Sequence, residues 1–442
     1  MEDKIIDERD KGWAWIVAAA TFVTSITSVG FVRTKGVLYV YFMLNLGLDR
    51  THSALPLSIM SAIMNLSGPI FPFIMQYLTI RKLVIFGSLL SSLGCILCYF
   101  SSHFISLVIF LGIINGKSYI VLNRLRSNIV FKMEIIISLG FGNAIIFILS
   151  SIIVDSNFKM YKTTAMGIFR SGASAGAFAL PPLMEYLISI YGLKGSFLLF
   201  GGILLQGTVA ACLYRQPRNT ENAQKSEDEG ETSWKTLQTN IEVIKDPMFL
   251  VIAFTFIMLR LFISIFGNVI TDFGIDKGIN IQSSVFLVSS FAISDLFGRL
   301  GLSWIVDFGF IKRVNIVIIC YFSLAVLLCI LSLTWNYALM LTITFIIGIF
   351  SGCIATQQTI LMSENLGVKK LPVAVGLECF LAGLSLLLLD TPITVYFREN
   401  LGRYDYLFYF LASLFLLFAI LWIMEPLVQK LRNRNNQCVT KL

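Results

Sequence analysis

The feature that most constrains this chain is a succession of apolar runs, each near or above the length that carries a helix across a bilayer. They fall at 13–46, 53–78, 82–100, 104–114 with 136–155, 163–190, 195–214, 248–272, 281–306, 314–334, 337–362, 371–396 and 404–426. A helix needs about 20 apolar residues to cross the hydrocarbon. Counted with the split fourth run as one, there are twelve spans. Barrel strands would be about 10 residues long with strict alternation, and no such pattern runs through this sequence. Composition agrees: hydrophobic residues fill 56% of the 442 positions, charged residues 14%, and the mean hydropathy is +0.80. A soluble domain carries about 25% charged residues, and a soluble core could not hide so much apolar surface. The expected class is an all-α, multi-pass integral membrane protein with the lipid bilayer as its solvent.

The net charge of +8 suggests nucleic acid only until the charges are located. They sit in short loops, so no nucleic-acid partner is expected. Loops on one side hold Arg81 and Lys82, Lys159 and Lys162, Arg215 to Lys245, Lys312 and Arg313, and Lys369 and Lys370, followed by the basic C-terminus. Loops on the other side hold Arg50, Lys194, Lys277, Arg398 and Arg403. By the positive-inside rule both termini are expected in the cytoplasm. The opening MEDKIIDERDKG is too charged for a cleaved signal peptide, so the first run is expected to remain as a span.

The polar stretch QPRNTENAQKSEDEGETSWKTLQTN (216–240) divides the spans six and six and reads as a disordered cytoplasmic linker. The expected organisation is a tail at 1–12, an N-terminal six-helix bundle at 13–214, the linker at 215–247, a C-terminal six-helix bundle at 248–426 and a tail at 427–442. This outline resembles a twelve-helix major-facilitator fold, two six-helix bundles around a central cavity. One region departs from it. Residues 115–135 place Lys117, Arg124, Arg126 and Lys132 inside what would otherwise be a single fourth span. They read either as an extra loop or as sequence foreign to the fold, and the four basic residues favour the second. Cys95 and Cys98 form a C-x-x-C within an apolar helix without a neighbouring His, which reads as packing rather than as a metal or redox site.

Five motifs carry a resemblance to a family. Asp10, Gly12, Trp13 and Trp15 in DKGWAW resemble the acidic-Gly-Gly-Trp-Gly-Trp opening of monocarboxylate transporters (solute carrier family 16), from which Lys11 departs. IFRSGASAGAF (168–178) resembles that family's Gly-rich fifth helix, and YGLKGSFLLF (191–200) its approach to the sixth. SENLGVKKLPVAVGLECFLAG (363–383) resembles the crossing from helix ten to eleven, and LGRYDYLFYF (401–410) the start of helix twelve. The resemblance implies proton-coupled movement of small carboxylates such as lactate or pyruvate, residence in the plasma membrane, and in some members a single-span ancillary glycoprotein. Other members carry aromatic amino acids, thyroid hormones, creatine or carnitine-like solutes.

The candidate site starts from Asp295 and Arg299, which stand four residues apart in an apolar run. That spacing puts both on one helix face, within pairing distance. Counted from the start of the span they lie near the midplane, where an ionisable residue marks a functional site. They match the acid and arginine of the family's eighth helix. Arg299 is suited to grip a carboxylate bidentately, while a proton on Asp295 frees it to do so. Burial favours a neutral carboxyl and a neighbouring guanidinium an ionised one, so substrate arrival is expected to swing the protonation. The competing reading is a clamp between helices, because D-x-x-x-G-R-x-G followed by Asp307, Lys312 and Arg313 also resembles a loop-gating motif of the superfamily. The binding reading is favoured.

Lys35 matches the lysine that the family presents to anion and proton, with snorkelling to headgroups as its alternative. Arg33 lies about 200° round the helix from Lys35 and is expected to face elsewhere and snorkel. Arg170 in helix five is expected to snorkel, with cavity lining as the alternative, and Arg260 is treated alike. Lys162 is the surviving residue of a basic run. Glu378 and Asp390 are cavity or gating candidates, and around Asp390 the sequence lacks the family's usual Gly and Pro. Gly172 and Gly176 form a small-residue packing face. Phe345, Phe350 and Ser351 on helix ten are pocket candidates.

The expected function is secondary transport of a small organic anion by alternating access, with the proton as coupling ion and no bound cofactor or metal. The alternatives are carriage of a neutral, zwitterionic or aromatic solute, and a non-transporting sensor on the same frame. An enzyme is not expected, since the chain has no H-E-x-x-H and its two histidines, His52 and His103, are expected in outward loops.

Overall fold

The computed structural model describes residues 9–38, 41, 60–100, 127–216, 242–400, 402–426, 429 and 430. Among them, ten helices are long and apolar enough to cross a membrane, and Met60–Ile74 is a shorter apolar helix. One of the ten, Lys162–Cys212, has 51 residues and would measure about 76 Å if straight. Gly192 divides it at φ 67° and ψ 175°, a backbone state that essentially only glycine adopts. Gly172 and Gly207, on either side of that division, both lie against the first helix, at Phe22 and Thr27, so the chain reverses there. That division gives eleven helices of crossing length among the described residues, with Met60–Ile74 as a shorter twelfth at the second apolar run.

We number them α1 (Trp13–Leu38), α2 (Met60–Ile74), α3 (Ile80–Leu97), α4 (Ser127–Asn157), α5 and α6 (the two halves of Lys162–Cys212), α7 (Pro247–Asp276), α8 (Ile281–Asp307), α9 (Arg313–Leu333), α10 (Tyr337–Leu366), α11 (Leu371–Glu399) and α12 (Asp405–Ile423). Residues 115–126 of the anomalous segment and most of the linker lie outside the described residues. Residues 127–135 are helical and continuous with the fourth pass, so this part of the segment extends a span rather than interrupting it.

The punctuation is chemical. Asp246 caps α7 by accepting from Met248 N at 2.9 Å, with Pro247 at the first helical position. Asn336 caps α10 through Ala338 N at 2.9 Å. Each cap satisfies an N–H that has no partner within its helix. Polar pins join the apolar faces. Tyr214 Oη lies 2.6 Å from Thr24 Oγ1 and 2.7 Å from Ser150 Oγ, which ties the end of α6 to α1 and α4.

Small residues set the closest crossings. A Cβ on Gly172 would collide with the carbonyl of Phe22, so the expected packing face on α5 receives α1. A Cβ on Gly68 would collide with the carbonyl of Gly376, and that crossing joins α2 of the first bundle to α11 of the second. The face holding Trp13, Cys212, Pro247 and Asp307 is called here the linker face, and the opposite one the far face. Among the described residues, the hydrogen bonds between bundles lie at mid-depth or towards the linker face, where the two halves are drawn together.

Candidate functional site

Asp295 and Arg299 meet as their spacing predicts. Arg299 Nε donates to Asp295 Oδ2 at 2.7 Å, and the two side chains are 12% and 9% exposed. Both reach across the seam between bundles. Ser174 Oγ of α5 donates to Asp295 Oδ2 at 2.6 Å, and Arg299 Nη1 donates to the backbone oxygen of Arg170 at 3.2 Å. Asp295 Oδ1 is buried with no hydrogen-bond donor. Arg299 sits in a π-helical turn, Gly298–Leu302. Such turns are rare and concentrate at functional sites, and the four-residue spacing alone does not reveal them.

A second charge group lies beside the pair. Arg260 Nε of α7 stands 3.4 Å from Glu378 Oε1 of α11, whose side chain is fully buried. Arg260 also reaches the first bundle, with Nη1 at 3.4 Å from Asn65 Oδ1 and its guanidinium 5.4 Å from the Phe147 ring centre. Arg170 approaches the same ring at 4.9 Å and donates to Thr359 Oγ1 of α10 at 3.2 Å. Arg170 is 6% exposed. It does not snorkel, because its side chain points into the seam between Phe147, Phe169 and Thr359.

Arg33 and Lys35 are exposed at the far end of α1. Arg33 lies within electrostatic reach of Asp295 and Arg299. The regular helix stops at Arg33, and Thr34 turns back with both its N–H and its hydroxyl on Phe31 O. Lys35 is within reach of Arg33 and Asp390, and no ion pair brings it to Asp295 among the described residues. Asp390 Oδ2 accepts from Ser264 Oγ at 2.7 Å, while its Oδ1 is buried without a partner. It ends the π turn Leu386–Asp390. Pro392 follows, and its ring and missing N–H disturb the helix at this point.

Towards the linker face the charges act as straps. Asp307, at the end of α8, accepts from Thr163 N at 3.1 Å, Thr164 N at 2.6 Å and Thr164 Oγ1 at 2.7 Å. It thus caps α5 from the opposite bundle, and its side chain is fully buried. Lys162 Nζ donates to Asp155 at 3.0 Å, and Ser363 Oγ of α10 donates to the same carboxylate at 2.8 Å. Asp10 accepts from the backbone N–H groups of Lys159, Met160 and Tyr161 at 3.0–3.2 Å. Its motif partner Trp13 donates to Leu213 O at 3.1 Å. The opening motif therefore binds the turn between α4 and α5.

The helix-ten candidates are not gathered at the pair. Ser351 Oγ donates to Gly348 O of its own helix, Phe350 packs on the large core, and Phe345 is exposed nearer the far end of α10.

The comparisons with known proteins agree with this arrangement. Rat monocarboxylate transporter 2 is 27% identical over 420 residues, covering 90% of this chain and 80% of its own. Human monocarboxylate transporter 12 is 23% identical over 460 residues, covering 98% and 84%. Among solved structures, the fucose:proton symporter of E. coli superposes with a TM-score of 0.67 at 12% identity, over 92% of this chain and 98% of that one. The sequence profile of the Major Facilitator Superfamily matches residues 14–388. Two bundles of six passes, strapped on one face and holding a charge pair in the seam between them, are the frame of a multi-pass membrane transporter, and the chain belongs to the major facilitator superfamily.

Proposed function

We propose that this protein carries small organic anions, monocarboxylates such as lactate and pyruvate among them, by proton-coupled alternating access. The observation that supports it most is the Arg299–Asp295 contact at 2.7 Å, held by α8 and touching α5. Arg299 is occupied by an internal carboxylate, so a substrate carboxylate must compete with Asp295 for it. A proton on Asp295 removes the competitor's charge and releases the guanidinium. Asp295 Oδ1, free of donors, is the oxygen open to that proton. With substrate on Arg299 and a proton on Asp295, the charge of the pair is unchanged and the seam can close on the far face. The straps at Asp307 and Ser363 must then part to open the linker face.

The basic loops orient the linker face and both termini to the cytoplasm. The plasma membrane is the proposed residence, with a single-span glycoprotein as escort and the proton as coupling ion. The test is uptake of labelled lactate and pyruvate into proteoliposomes, with and without an inward proton gradient. Saturable uptake that rises with the gradient and is lost in Arg299→Lys supports the reading. Transport of neutral solutes that is indifferent to Arg299→Lys would replace it.

A further inference from the structure

Arg170 is a cation that the carrier reading leaves without a counter-charge. Arg299 has Asp295 and Arg260 has Glu378, at 2.7 and 3.4 Å. Among the described residues no carboxylate forms an ion pair with Arg170. Its Nε is buried with no acceptor, and its one hydrogen bond goes to a threonine hydroxyl. Its guanidinium lies against the rings of Phe147 and Phe169, and Arg260 shares the Phe147 ring at 5.4 Å. Two guanidinium groups on one ring repel each other, and cation–π attraction is smaller than the cost of burying an unpaired ion.

The charge group as a whole shows the same imbalance. Arg170 stands within electrostatic reach of Arg260 and Arg299, and the acid that faces it, Glu378, is already paired with Arg260. Among the described residues of this group, three guanidinium groups, Arg170, Arg260 and Arg299, face two carboxylates, Glu378 and Asp295. A monocarboxylate that binds Arg299 together with a proton on Asp295 adds no net charge and leaves Arg170 as it is.

We propose that the preferred cargo is a dicarboxylate with its two carboxylates a few carbons apart, one held by Arg299 and the other by Arg170. The two arginines belong to neighbouring positions across the seam, since Arg299 already bonds the backbone oxygen of Arg170 at 3.2 Å. One lies on α5 of the first bundle and the other on α8 of the second, so a two-headed anion ties the bundles together where they must move. The inference rests on the carrier reading and names its substrate class.

The test uses the full-length protein in proteoliposomes with labelled succinate and labelled lactate under one inward proton gradient. Succinate is expected to enter saturably, with a KM roughly tenfold below that for lactate. Arg170→Leu is expected to lower the ratio of succinate to lactate kcat/KM by about tenfold or more, and Arg170→Lys by less, because it keeps the charge. The wild-type comparison stands even if the leucine variant does not fold. Lactate uptake with succinate neither entering nor competing overturns this inference and leaves the carrier reading intact. An unchanged ratio in Arg170→Leu overturns it as well. Sulfate competing as strongly as succinate would assign the site to a compact dianion instead and overturn the two-headed ligand. If neither acid moves and neither protects the protein against thermal unfolding, both readings fall together.

Discussion

Replacing Asp307 by Asn should open the linker face. The carboxylate accepts two backbone N–H groups and one hydroxyl from the first turn of α5, all within 3.1 Å, and its side chain is fully buried. Removal of a helix cap costs about 0.5–2 kcal/mol. The charge itself, placed at a helix N-terminus in a partly buried setting, contributes up to about 2 kcal/mol. Asn keeps one acceptor oxygen and loses the charge, so about 2 kcal/mol is a reasonable loss. These contacts join the two bundles and exist only while the linker face is closed, so the loss falls on that state alone. About 2 kcal/mol moves the closed-to-open ratio roughly 30-fold. The assay is pulsed electron resonance between spin labels at Tyr77 and Phe310, each 78% exposed and on opposite bundles near this face. In lipid nanodiscs, Asp307→Asn should gain a long-distance population that the wild type holds as a minor one, and Asp307→Ala should gain more. Distance distributions identical in all three proteins would refute the strap.

Gly376→Ala should act in the same direction, because its Cβ would press on the Gly68 carbonyl and overpacking costs about 1–3 kcal/mol; the same labels should show a widened linker face, and an unchanged width contradicts the close crossing. Asp10→Ala removes the acceptor of three backbone N–H groups at Lys159–Tyr161, so trypsin should cleave after Lys159 about tenfold faster in the folded protein, and equal cleavage would show that the opening motif does not hold this turn. Glu378→Gln leaves Arg260 buried without its acid and should cost about 3–5 kcal/mol, read as lost thermal stability. Adding Arg260→Met should recover most of that loss, and a double variant no more stable than the single one contradicts the pairing.

What was legible in the sequence follows from range. Each span is a local apolar run, and the Asp295–Arg299 pair is a local spacing on one helix, so both could be read in one dimension. The loop at 191–194 was legible as a reversal, although only Gly192 leaves helical geometry there. Arg170 was misjudged because its direction depends on Phe147 and Thr359, which other helices bring to it. The part played by Asp307 as a cap for a helix of the other bundle has no one-dimensional signature, since cap motifs are read within a few residues of the helix they serve. Asp10, Gly12, Trp13 and Trp15 were recognisable as a motif, but their mechanical role required the turn at Lys159 to be seen beside them.

The central claim is that one proton on Asp295 exchanges for the grip of Arg299 on an incoming carboxylate. It is tested most directly by recording luminal pH in liposomes during lactate entry, for wild type and Asp295→Asn. The account predicts that the wild-type lumen acidifies in step with lactate and that the variant, a permanent mimic of the neutral acid, moves lactate only by exchange and without acidification. Acidification by Asp295→Asn at the wild-type ratio of protons to lactate would contradict it.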